Sequence, residues 1–215
     1  MSVTGLALVL FLTFHASMNV VALFSAEGYN MICEFLGANW YAVVATIGLA
    51  ALMALHFVFA IILTIQNNRA RGTDSYAVTA KPEKVEWYST NMGILGCIIC
   101  LGLLLHLWHF WYNMMFAELM DPVAAMTNPI SASDGYRWIV YTFHEQPGHV
   151  VYSLLYIVWF CAIWLHMNHG IWSAIQTLGW SGKIWHNRWQ CIGFIWSTIV
   201  VLMFAAVVIK FAIWG

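Results

Sequence analysis

Charge is what this sequence has least of. Only 8% of its 215 residues are Asp, Glu, Lys or Arg, against roughly 25% in soluble domains. The formal net charge is −1, so the electrostatic footprint of a nucleic-acid binder is missing. Cysteine is also sparse. Of the five, Cys97 and Cys100 form a C-x-x-C inside an apolar run, and no His follows Cys100. That excludes covalent haem attachment. The remaining cysteines are scattered, so a four-cysteine iron–sulfur site is not formed either, and all five are expected to be small packing residues. There is no repeat, no second domain and no low-complexity tail.

What is present is apolar. Hydrophobic residues make up 62% of the chain, more than a soluble protein of this size can hide, whereas a bilayer is itself a solvent for apolar faces. Five runs stand out: Val3–Phe24, Tyr41–Ile65, Asn91–Phe116, Val150–Ile175 and Cys191–Trp214. Each reaches the roughly 20 residues a helix needs to cross hydrocarbon, and none contains Asp or Glu. The expected fold is a single all-α integral membrane domain of five transmembrane helices. Thirteen Trp and nine Tyr suit helix ends at two membrane–water interfaces. The first run lacks a small-residue cleavage pattern and is expected to be a mature span rather than a signal peptide. Lys210, near the end of the fifth run, is expected to snorkel to the interface.

The connections alternate in charge. Residues 66–90 carry Arg69, Arg71, Lys81 and Lys84, and residues 176–190 carry Lys183 and Arg188. Connections 25–40 and 117–149 hold Arg137 as their one basic residue, and they collect Glu27, Glu34, Glu118, Asp121, Asp134 and Glu145. The positive-inside rule places the basic connections, and with them the N-terminus, in the cytoplasm. Residues 117–149 include Pro122, Pro129, Pro147, Gly135 and Gly148, which predict turns, with a short interfacial helix near Tyr136–Phe143.

Six of the nine His lie within the spans: His15, His56, His106, His109, His166 and His169. A single intramembrane His can be satisfied by a neighbouring helix; one or more in each of four successive spans points to function. A six-coordinate haem b takes two axial His from two helices, so two haems need four helices, and spans one to four supply them. His56 and His166 each lie nine residues from the inner ends Ile65 and Ile175, while His15 and His106 lie nine and ten from the outer ends Phe24 and Phe116. Depth therefore pairs His56 with His166 on an inner haem and His15 with His106 on an outer one. His109 and His169 sit three residues beyond a paired His, and spacing alone does not choose within either couple. His144, Glu145 and His149 resemble H-E-x-x-H with the second His one place late, and Pro147 and Gly148 break the helix a zinc hydrolase needs.

The runs around these histidines resemble a known family, the di-haem cytochrome b membrane anchor of succinate dehydrogenase and fumarate reductase (respiratory complex II) in its five-helix form. The carrying segments are TGLALVLFLTFHASMNVVALFS around His15, ALHFVFAIIL around His56, LGLLLHLWHFWYNMM around His106 and WLHMNHGIWSAIQTLGW around His166. The resemblance selects His106 over His109 and His166 over His169 as haem-iron ligands. It implies a flavoprotein partner with FAD and an iron–sulfur partner on the cytoplasmic face of a bacterial inner membrane, with electrons passing through both haems to a quinone, usually menaquinone. Arg137, in SASDGYRW, is similar to a family Arg near the outer haem propionates, and Glu34 lies in the region of a quinone-site acid. Members usually begin with a short basic segment that this sequence lacks, so orientation rests on the connections. Two rivals remain: a di-haem anchor of a hydrogenase or formate dehydrogenase, usually with four spans, and a His-dependent proton or metal transporter. The transporter calls for carboxylates or broken helices within the spans.

Single cysteines introduced into residues 66–90 of a cysteine-free background should react with a membrane-impermeant maleimide from the cytoplasmic side, and those in 117–149 from the opposite side. Labelling with the sides exchanged would invert the topology.

Overall fold

The computed structural model describes residues 1–71 and 86–215, and every regular element among them is helical. Helix α1 (Ser2–Val20) tightens into a 3-10 turn at Val21–Leu23. Ser25 then caps α2 (Ala26–Phe35), its Oγ accepting from the Gly28 N–H at 2.9 Å, as a serine at an N-cap does for an orphan amide. The long α3 (Trp40–Arg71) follows. A short α4 (Trp87–Thr90) precedes α5 (Met92–His106), which runs on into a π-helical stretch, Leu107–Phe116. Next come α6 (Ala117–Met120), α7 (Pro122–Thr127) capped by Asp121, α8 (Gly135–Val140) capped by Asp134, and a second π-helical stretch, Tyr141–Glu145. Gly148, at φ 85°, turns the chain into α9 (His149–Thr177), and α10 (Lys183–Trp214) completes it.

Five helical segments are long and apolar enough to cross a membrane: Ser2–Leu23, Trp40–Ala70, Met92–Met120, His149–Thr177 and Lys183–Trp214. The protein is a multi-pass membrane protein by this criterion. Two bounds differ from the sequence expectation. The fifth helix starts at Lys183 rather than Cys191, and the second runs past Ile65 to Arg71. Polar residues end an apolar run without ending a helix, because backbone hydrogen bonding continues through them. Arg69, Lys183 and Arg188 therefore sit on helical turns that prolong the spans, all at one end of the bundle, here called the basic end. Lys81 and Lys84 lie outside the described residues. The expected helix near Tyr136–Phe143 spans α8 and the π-helical stretch after it.

Helix α9 is the hub. Its buried residues Ser153, Tyr156, Phe160, Ile163, Met167, Ile171 and Ala174 recur every three or four positions, a stripe that one face of a helix must show to pack. On α10, Gly193, Ser197, Val200, Phe204, Val207 and Phe211 repeat the pattern. The stripes meet with Phe160 stacked on Phe204 at 5.5 Å. In hydrocarbon, packing and interhelical hydrogen bonds hold helices together. Ser197 Oγ donates to Asn168 Oδ1, both buried; Trp164 Nε1 donates to Thr198 Oγ1 at 2.9 Å; Trp196 Nε1 joins α10 to α1 through Thr13 Oγ1 at 3.0 Å. Lys210 reaches the end of the first span: its Nζ donates to the Leu23 carbonyl at 2.9 Å, where helix-end carbonyls attract a cation.

Two helices meet this core unequally. On α5, Gly102 lets the chain approach α9 so closely that a Cβ there would overlap the Trp159 indole, whose Nε1 donates to the Ile99 carbonyl at 3.0 Å. Helix α3, by contrast, packs chiefly on α1, and among its described residues Ala42 alone is buried. Gly102→Val should lower bundle stability by about 1–3 kcal/mol, the usual cost of overpacking, read as a fall in detergent-solubilised melting temperature. An unchanged melting temperature would show that α5 and α9 do not make this contact.

Candidate functional site: two histidine pairs at two depths

The intramembrane histidines lie on the inner faces of α1, α3, α5 and α9. The ring centres of His15 and His106 are 5.8 Å apart with planes at 81°. Those of His56 and His166 are 6.3 Å apart at 66°. Two imidazoles sharing one metal, each with a nitrogen about 2 Å from it, have ring centres about 6 Å apart. Their planes are free to turn about the common axis, so neither angle opposes that geometry. Thr4 lies beside His56, and 15 − 4 = 11 residues separate it from His15 on α1. At about 1.5 Å per residue the two pairs are therefore about 16 Å apart along the bundle.

Separation is not by itself the criterion, since His144 and His149 also have ring centres 6.0 Å apart. That pair lies at the acidic end, where α9 begins, His149 Nδ1 is engaged by the Phe143 carbonyl at 3.2 Å, and Glu145 is paired with Arg137. Among the described residues no group of three or more His, Cys, Asp or Glu side chains is placed to hold a metal ion. His15 with His106, and His56 with His166, are the residues that would hold a haem, which would supply a one-electron couple.

Surroundings and free valences fit such a group. The His15 ring is flanked by Phe11 at 5.5 Å and Phe204 at 5.7 Å; the His106 ring is flanked by Phe110 at 5.4 Å and Trp159 at 5.7 Å. His166 Nδ1 is buried with no hydrogen-bond partner, a costly state for a polar atom in hydrocarbon. His15, His56, His106 and His166 are half-buried, beside the buried Ala16 and Met167. One contact competes: Asn19 Nδ2 lies 3.4 Å from His15 Nε2. At that length it is weak; the same amide's other hydrogen goes to the His15 carbonyl at 2.8 Å, and its Oδ1 accepts from the Tyr29 hydroxyl at 3.0 Å.

The remaining two intramembrane histidines have protein partners. His109 is buried, with Nδ1 3.3 Å from the Tyr156 hydroxyl and its ring 4.8 Å from that of Tyr152. His169 Nδ1 is 3.0 Å from Ser89 Oγ, and its ring meets Trp172 at 4.9 Å. It is His106 whose ring lies beside that of His15, and His166 whose ring lies beside that of His56.

At the other end of the bundle, here called the acidic end, Glu34 is exposed on α2. It lines a hollow with Glu27, Asn30, Met31, Ser133 and Asp134, and through Met31 this joins an apolar trough bounded by Phe14, Met18, Ile32 and Phe35. Phe14 and Met18 lie on α1 next to the turn that carries His15. The Arg137 guanidinium is paired with Glu145 at 2.5 Å on the surface; the pair holds the Glu145 carboxyl below its usual range. Glu145 engages Arg137 through Nη1.

Sequence reasoning passed over the seam between α2 and α8. Cys33 Sγ lies where a Cβ on Gly135 would fall, and Asn30 bridges to Asp134 Oδ1 and the Tyr136 N–H, each at 2.8 Å. No family model, no curated protein and no solved structure matches the chain, so the reading below stands on residues and geometry.

Burial, joined by the Asp134 charge, pushes the Cys33 thiol from 9.0 up to about 11. Because the folded state holds this proton more tightly than the unfolded one, the contribution to stability is full below pH 9 and declines as pH rises towards 11. Cys33 should alkylate much more slowly than a free thiol at pH 8 in folded protein. Alkylation at the unfolded-state rate would contradict the seam.

Proposed function

We propose that the chain is the di-haem cytochrome b anchor of a succinate:quinone oxidoreductase, carrying electrons across a bacterial cytoplasmic membrane between an iron–sulfur subunit and quinone. The observation that carries this reading is the pairing: four imidazoles from four helices meet two by two, at two depths, in apolar surroundings. Sequence resemblance in the four His-bearing segments supplies the choice of complex.

His56 and His166 would hold the haem nearer the basic end, and His15 and His106 the one nearer the acidic end. Haem bound between two imidazoles supplies a one-electron couple. The chain's own residues orient each imidazole, exclude water with Phe11, Phe110, Trp159 and Phe204, and hold the two levels about 16 Å apart through the rigid rise of α1. Arg69, Lys183 and Arg188 mark the cytoplasmic side, where the iron–sulfur subunit and its FAD-bearing flavoprotein neighbour would dock.

A quinone, menaquinone by resemblance, has an apolar tail and a head that gains or loses two protons with two electrons. The trough of Phe14, Met18, Ile32 and Phe35 suits the tail, and the adjoining hollow places Glu34 where a carboxylate can take a proton from quinol or return one from water. The five apolar runs hold no Asp or Glu, and Glu118 lies at the acidic end of the third span, so these protons exchange on the outer side while electrons cross the bilayer.

Purified wild type should show a b-type spectrum. His56→Ala or His166→Ala should remove one haem, and His15→Ala or His106→Ala the other, measured as haem per chain. Full two-haem content in any of these variants would reject that ligand. Glu34→Gln should slow quinol turnover by about 100-fold or more while both haems stay bound; wild-type turnover would place the proton acceptor elsewhere. Co-purification with a hydrogenase or formate dehydrogenase, and no succinate–quinone activity, would move the chain to another respiratory complex.

A further inference from the structure

We propose that Thr4 is a positioning residue for His56: it selects the ring's tautomer and so directs Nε2 at the metal. This rests on the reading that His56 and His166 share a haem iron. Thr4 is buried on α1, and its hydroxyl has two partners. Oγ1 donates to the Met1 carbonyl at 2.8 Å and lies 3.1 Å from His56 Nδ1. A hydroxyl has a single proton to give. With that proton committed to Met1, Oγ1 can only accept from the imidazole, so Nδ1 carries the hydrogen and Nε2 keeps a free lone pair.

The ring also has a seat. An added Cβ on Gly5 would lie 3.5 Å from His56 Cε1, ordinary contact distance, so the imidazole rests against the α1 backbone at this glycine. His56 belongs to α3, the helix with one buried residue among those described, so contact with Thr4 and Gly5 orients it where helix packing does not. The partner ring is different, since His166 Nδ1 has no acceptor. The two axial imidazoles at this level are therefore inequivalent, one oriented by a hydrogen bond and one by packing.

Position along α1 adds a consequence. Eleven residues at 100° each return to within about 20° of the same face, so Thr4 and His15 project to one side of α1. A single helix thus presents the outer ligand and orients the inner one, and its rigidity sets the distance between the two levels.

An acceptor on Nδ1–H makes an imidazole a stronger donor to its metal, which favours ferric over ferrous iron and lowers the potential. The test compares wild type, Thr4→Val and Thr4→Ser in the purified haem-loaded protein by redox titration, with ¹⁵N-histidine magnetic resonance to read the Nδ1 proton. In Thr4→Val the potential of the His56–His166 haem should move positive while the other haem stays put, and Thr4→Ser should return the wild-type value. Selective loss of that haem, repaired by Thr4→Ser, supports the same role. Unmoved potentials, a shift that serine does not repair, or loss of both haems together would each overturn it. A wild-type protein without haem overturns the functional reading and this inference with it. A loaded protein indifferent to Thr4→Val overturns this inference alone.

Discussion

Imidazoles in the middle of a bilayer need partners, because hydrocarbon offers no hydrogen bonds and no solvation. Six of them fall within the apolar runs of this protein, and the fold is arranged around how each is answered. His109 and His169 are met by Tyr156 and Ser89. His56 is met on one nitrogen by Thr4. His166 Nδ1 is buried without any partner. On the proposed reading, haems held by His15 with His106 and by His56 with His166 would give the ligating nitrogens their partners.

The uneven packing follows from the same constraint. Helices α9 and α10 carry full stripes of buried residues and polar links between Asn168 and Ser197, so their union needs nothing further. Helix α5 reaches α9 through Gly102 and Trp159. Helix α3 contributes His56, yet among its described residues Ala42 alone is buried. A helix so thinly packed gains stability from any group that binds it to its neighbours, since a ligand that binds only the native arrangement stabilises that arrangement by mass action. On the proposed reading, haem is the missing part of the contact between α3 and α9.

The spans could be read from sequence because lipid demands long apolar runs, and the facing histidines could be sorted by depth because helical rise is constant. What stayed hidden depends on direction and local chemistry rather than composition. Apolar runs end at polar residues, helices do not, so α10 was set to begin at Cys191 when it begins at Lys183. A lysine near a span end is equally compatible with snorkelling and with capping a neighbour, and the choice of the Leu23 carbonyl by Lys210 depends on where α1 ends in space. The fit of Cys33 against Gly135 joins residues a hundred positions apart and has no local signature. Thr4 left a trace, its place three helical turns before His15, but a threonine at such a spacing means nothing until His56 is known to lie beside it.

Two metal-binding levels in one small bundle is the claim on which electron transfer, quinone chemistry and partner choice all depend. Quantifying haem and iron in the purified chain, together with low-temperature electron paramagnetic resonance of the oxidised state, addresses it most directly. Two b-type haems per chain, both low-spin and six-coordinate with nitrogen on each axial side, are expected. A colourless protein, or a single haem with high-spin five-coordinate iron, would contradict it.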